Sequence, residues 1–165
     1  MSKRELYALF GNKQAILTAM IAARSARMRL PLQLPAIKDR DSFAFTLEKF
    51  GIEVLRGLCN PGVIALYRLA VAEAKRSPEM AETLDKAGRQ PNIAALVDLL
   101  SHAKSLKLLA PGDAAELARH FFALLWGDLL LRLLLGVTDL PSPGEIKRRA
   151  RVAADSFLKL HLPES

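Results

Sequence analysis

The stretch from Phe121 to Leu135 constrains this chain more than any other. Phe121, Phe122, Leu124, Leu125, Trp126, Leu129, Leu130, Leu131, Leu133, Leu134 and Leu135 follow one another with only Ala123, Gly127, Asp128 and Arg132 between them. On a helix they cannot share one face, so the helix must be covered on more than one side. A membrane span is a poor account of it. The stretch is interrupted by Gly127, Asp128 and Arg132, and it is shorter than the roughly 20 residues a span requires. Two accounts remain: an unusually apolar core within one subunit, or burial against a second copy. The second is favoured because twofold pairing is the commonest way to cover such a surface. Asp128 and Arg132, four apart, are placed to pair at its rim.

Leu and Ala dominate the rest, and no segment sustains period-two alternation, so an all-α fold is expected. Phe43, Leu47, Phe50, Val54 and Leu58 form one helical stripe after a Pro31–Asp39 linker. Asn60-Pro61-Gly62 breaks the chain, and a helix is expected from Val63 to Arg76. Ser77-Pro78-Glu79 is a start signal, with a break at Gly88 to Pro91 and a further helix to Leu108. Asp113 and Glu116 form a capping-box-like pair opening one long helix to Leu135. Ser142-Pro143-Gly144-Glu145 starts a last helix, to His161, with Ile146, Ala150, Ala153, Phe157 and Leu160 on one side. The expected interface between copies is Phe121, Leu125, Leu129, Leu133, Ile146, Ala150, Ala153 and Phe157, arranged as four helices.

At the other end, a helix is expected over Ser2 to Phe10, with Leu6, Leu9 and Phe10 as its inner face. Gly11 turns the chain, and Asn12 caps a second helix to Leu30 that buries Ile16, Leu17, Met20 and Ile21. The charge is distinctive. Net charge is +7 and the pI about 9.9, which favours a polyanionic partner. Ser2, Lys3 and Arg4 sit in the first turn, where Arg4 can fork onto guanine. Tyr7 can meet a phosphate, and Lys13 starts the next helix beside free amides that favour one. On spacing alone, a basic solvated helix explains these residues as well.

The run Ser2 to Leu17, through Ser2, Lys3, Leu6, Tyr7, Phe10, Asn12, Lys13 and Leu17, is similar to the recognition-helix signature of TetR/AcrR-family transcriptional regulators. Leu66 to Ala74 and Gly127 to Arg132 resemble segments of one C-terminal subgroup. The resemblance implies a regulator, most simply a repressor, that binds operator DNA as a homodimer and lets go when a small-molecule effector enters the helical body. It assigns DNA contact to Ser2, Lys3, Arg4, Tyr7 and Lys13. It divides the chain into a partial helix-turn-helix region with its connecting helix, 1–30, and a ligand-binding and dimerisation domain, 31–165. Glu5 and Leu9 depart from the family's usual residue types. The two helices that normally precede the recognition helix are absent before Ser2, so weak sequence-specific binding is expected of these 165 residues by themselves. A start codon assigned too far downstream and a short dimer that binds ligand or partner protein without DNA are the two expectations for that gap.

A ligand site in the body would draw on Cys59, Tyr67, Arg68, His102, His120 and Trp126. Each also has an ordinary reading as core or surface residue. Cys59 is the chain's one cysteine, which fits a reducing cytoplasm. The chain carries no Gly-rich phosphate loop, no nucleophile motif and no paired Cys or His at metal-ligand spacing. No enzymatic activity, cofactor, metal or membrane partner is therefore expected.

Overall fold

The computed structural model describes Ala19 and residues 36–163. Apart from Ala19, the expected helices before the Pro31–Asp39 linker, with Ser2, Lys3, Arg4, Tyr7 and Lys13, lie outside the described residues. What is described is all-helical. Its elements are α1 (Arg40–Leu58), α2 (Pro61–Ala72), α3 (Pro78–Leu84), a π-helical turn (Asp85–Arg89), α4 (Gln90–Ser105), α5 (Ala114–Trp126), α6 (Leu129–Leu135) and α7 (Pro143–Leu160). They fall into two compact units, 36–64 with 92–163, and 65–91. Among the described residues no single helix is long and apolar enough to cross a membrane.

In the larger unit, α1 starts on a capping box. Ser42 N–H donates to Asp39 Oδ1 at 2.8 Å, and Asp39 N–H donates to Ser42 Oγ at 3.0 Å. The stripe Phe43, Leu47, Phe50, Val54 and Leu58 is buried as the spacing predicts. α1 packs along α7, and α5 packs along α7. Leu96 and Leu100 of α4 complete the interior with Phe121 and Leu125 of α5 and Phe157 of α7. Gly51 is what lets α1 come so close. A Cβ there would stand 3.2 Å from both Ala150 Cβ and Leu125 Cδ1.

α7 opens at the expected start signal, where Ser142 and Glu145 close a capping box. Glu145 N–H donates to Ser142 Oγ at 3.2 Å, and Ser142 N–H donates to Glu145 Oε2 at 2.8 Å. These bonds hold the Glu145 carboxyl below the usual carboxylate range. Ser142→Ala is expected to cost about 1 kcal/mol of stability, read as a lower urea midpoint with an unchanged slope.

Four local expectations are corrected. The helix from Asp113 does not run to Leu135. Gly127 has φ 47°, outside right-handed helical space, and ends α5; α6 starts afresh at Leu129. Asp113 caps α5 through Ala115 N–H, but Glu116 pairs with Arg119 at 3.8 Å rather than closing a box. The second helix begins at Pro61 and stops at Ala72, short of Arg76. Finally, Gly88 to Pro91 does not break the chain. Gln90 N–H reaches back five residues to Asp85 O, and the widened turn leads straight into α4. A π turn suits a following proline, because Pro91 has no N–H and would crowd a carbonyl four residues back.

In the smaller unit, Ala70, Met80 and Leu84 form a compact cluster with Leu66, Tyr67, Leu69 and Ala87 against it. Ser77 makes no side-chain cap bond, but Pro78 occupies the first turn as expected.

Candidate functional site

An aromatic chain runs through the larger unit. Phe50 meets Phe121 and Phe122 at ring distances of 6.2 and 6.1 Å. Phe121 stands perpendicular to Phe157 at 5.7 Å, and Phe157 meets His161 at 4.7 Å. Toward the other end, Phe122 lies parallel to Trp126 at 6.4 Å. Tilted and edge-on contacts set the positive ring edge against the negative face, worth about 0.5–1.5 kcal/mol a pair beyond burial.

A basic residue finishes one end of this chain. Arg149 Nη1 donates at 3.2 Å to the carbonyl of Trp126, one of the last in α5. A cation at a helix C-terminus also complements its dipole. Arg149 acts on buried Cys59 too, but burial dominates and pushes the thiol up from its usual range. Cys59 is therefore a neutral thiol at neutral pH and a poor nucleophile.

At the other end, His120 Nδ1 lies 3.4 Å from His161 Nε2. Burial, then the neighbouring His120, lowers the pKa of His161.

The smaller unit holds Tyr67, whose hydroxyl is pushed up by burial and drawn down by Arg89. Asp85 grips Arg89 and accepts from Gln90 Nε2 at 2.8 Å. Those hydrogen bonds hold its carboxyl below the usual range.

The six pocket candidates are thus dispersed. Cys59 and Trp126 share Arg149 as a neighbour. His120 belongs with His161, and Tyr67 with Asp85 and Arg89. Arg68 and His102 are exposed on α2 and α4. Sequence reasoning missed Arg149 and His161 as partners because 23 and 41 residues separate them from Trp126 and His120. The Asp85–Arg89 pair could have been found from its four-residue spacing. Asp128 and Arg132 do pair, at 3.8 Å, with both side chains largely solvated.

The residues expected at the interface lie within the subunit's own packing. Phe121, Leu125, Leu129, Leu133, Ile146, Ala150, Ala153 and Phe157 are all buried by the chain's own helices. They form the stripes that α5, α6 and α7 turn toward α1 and toward one another, so one subunit suffices to cover them. On α5, α6 and α7 the large apolar side chains that face solvent are Leu124, Leu131, Leu135, Val152 and Leu160, at 37, 61, 65, 53 and 68% exposure.

Residues 46–161 match the family described as AefR-like transcriptional repressor, C-terminal domain. A TetR transcriptional regulator from Agrobacterium tumefaciens is 30% identical with a TM-score of 0.85, covering 99% of this chain and 80% of that one. The Flavonoid-responsive Regulator FrrA is 27% identical with a TM-score of 0.76, covering 100% and 83%. A TetR-family transcriptional regulator from Mesorhizobium loti shares the fold at 18% identity, with a TM-score of 0.81 over 98% and 81%. No curated protein matches. The chain belongs to the TetR family of transcriptional regulators, a family of regulators and not of enzymes.

Proposed function

We propose that this chain represses transcription as a homodimer bound to operator DNA, and that a small-molecule effector entering the helical body releases it. The observation that carries this reading is the match of residues 46–161 to the C-terminal domain of AefR-like repressors. Similarity to a flavonoid-responsive regulator favours a planar aromatic effector. Ser2, Lys3, Arg4, Tyr7 and Lys13 are the proposed DNA contacts, and the cytoplasm is the proposed compartment. The proposed interface between copies uses the outward leucines of α5 and α6, not the buried stripe.

A gel shift on the gene's own upstream region, with the protein as its gene encodes it, tests the reading. Lys3 and Lys13 from two copies would neutralise about four phosphates, so log affinity should fall with log salt at a slope of about −3.5. Adding a flavonoid should weaken the complex. A dimer that ignores this DNA at low salt overturns the proposal and leaves a ligand-binding or protein-interaction module.

A further inference from the structure

His120 and His161 stand far apart in sequence and close in space. Their rings lie 5.4 Å apart, inclined by 23°, with Nδ1 of one 3.4 Å from Nε2 of the other. Both are held by fixed backbone. His120 precedes the fully buried Phe121 on α5. His161 N–H donates to Phe157 O at 3.1 Å, and His161 O accepts from Ala110 N–H at 3.0 Å. The Phe157 ring backs the His161 ring at 4.7 Å. His120 is exposed and His161 half-buried, so solvent reaches the pair.

A separation of 3.4 Å is long for a hydrogen bond, which prefers about 2.7–3.2 Å. It is the right length for something else. Two Zn–N bonds of about 2.0–2.1 Å, opened to a tetrahedral angle, hold their nitrogens about 3.4 Å apart. We propose that His120 and His161 form a two-histidine site for a divalent transition cation of the zinc class, joining α5 to the end of α7. Among the described residues no group of three or more His, Cys, Asp and Glu is placed to hold a metal. Water completes the coordination, and the site is open rather than closed and structural. The cation binds the neutral form of each imidazole.

Zinc chloride titrated into the full chain tests the site by calorimetry and thermal melting. One ion per chain should bind, and the melting temperature should rise by about 5–10 °C at zinc a hundredfold above Kd. His120→Gln or His161→Gln should weaken binding at least tenfold. His102→Gln, which alters the chain's only other histidine, should leave it within twofold. In the natural chain, zinc should shift the imidazole resonances of His120 and His161 and spare those of His102, a readout that needs no variant to fold. Stoichiometric zinc binding that survives in the His120→Gln, His161→Gln double variant overturns the proposal. So does a natural chain that binds no zinc, or resonances that move only at His102.

Discussion

Phe121→Ala should lower the stability of the chain by about 3–5 kcal/mol, the largest loss expected from any single truncation here. Phe121 is fully buried, and its ring touches three others, Phe50, Phe122 and Phe157. Removing it takes away apolar burial and leaves a void at the junction of α1, α5 and α7. That junction is fixed by the close approach at Gly51, so the helices have little freedom to collapse into the gap. Urea unfolding followed by circular dichroism should show the midpoint falling by more than about 1 M. Phe45→Ala is the matched control. Phe45 is half exposed and has Lys49 Nζ 5.3 Å from its ring centre, an exposed cation–π contact worth about 0.5–1 kcal/mol. If the two variants lose similar stability, the aromatic chain is not the centre of the fold.

The contrast shows what could be read from the sequence and what could not. The stripe Phe43, Leu47, Phe50, Val54 and Leu58 was legible because one helical face is apolar and the other is not. The helix start at Ser142 was legible from its Ser-Pro pattern, and the pair Asp128–Arg132 because a four-residue spacing on a helix is nearly a contact already. The stretch from Phe121 to Leu135 was different. With leucine on every side, periodicity carries no information about which side turns inward. The tertiary partners decide, through Gly51, Ala150 and the break at Gly127. The same limit hid the polar contacts of the candidate site. Arg149 on the Trp126 carbonyl and His161 against His120 depend on how α5 and α7 cross, and nothing local in either segment signals it. The π turn escaped for another reason: Gly88 and Pro91 read as a break, whereas a single wide turn reconciles the proline with a continuous helix.

Leu131→Glu, which places one carboxylate on each copy across the proposed twofold, should raise the dimer dissociation constant at least a hundredfold. The argument rests on which side of α6 is already used. Leu129 and Leu133 are buried within the subunit, while Leu131 and Leu135 are 61 and 65% exposed. An interface can gain only from the second pair. A carboxylate at Leu131 stays solvated in the monomer, so folding stability should change by less than about 1 kcal/mol. In the dimer the same carboxylate would be desolvated without a partner, and twofold symmetry applies that penalty twice. Leu133→Ala reverses the pattern. It removes a side chain of 2% exposure, so it should cost about 2–5 kcal/mol of folding stability with little selective effect on pairing. Sedimentation velocity across a concentration series, paired with urea unfolding, separates the two effects. A natural chain that remains monomeric, or a Leu131→Glu variant that pairs as tightly as the natural chain, removes the outward leucines from the interface. Splitting of the dimer by Leu133→Ala at intact stability would return the interface to the stripe that the chain's own helices cover.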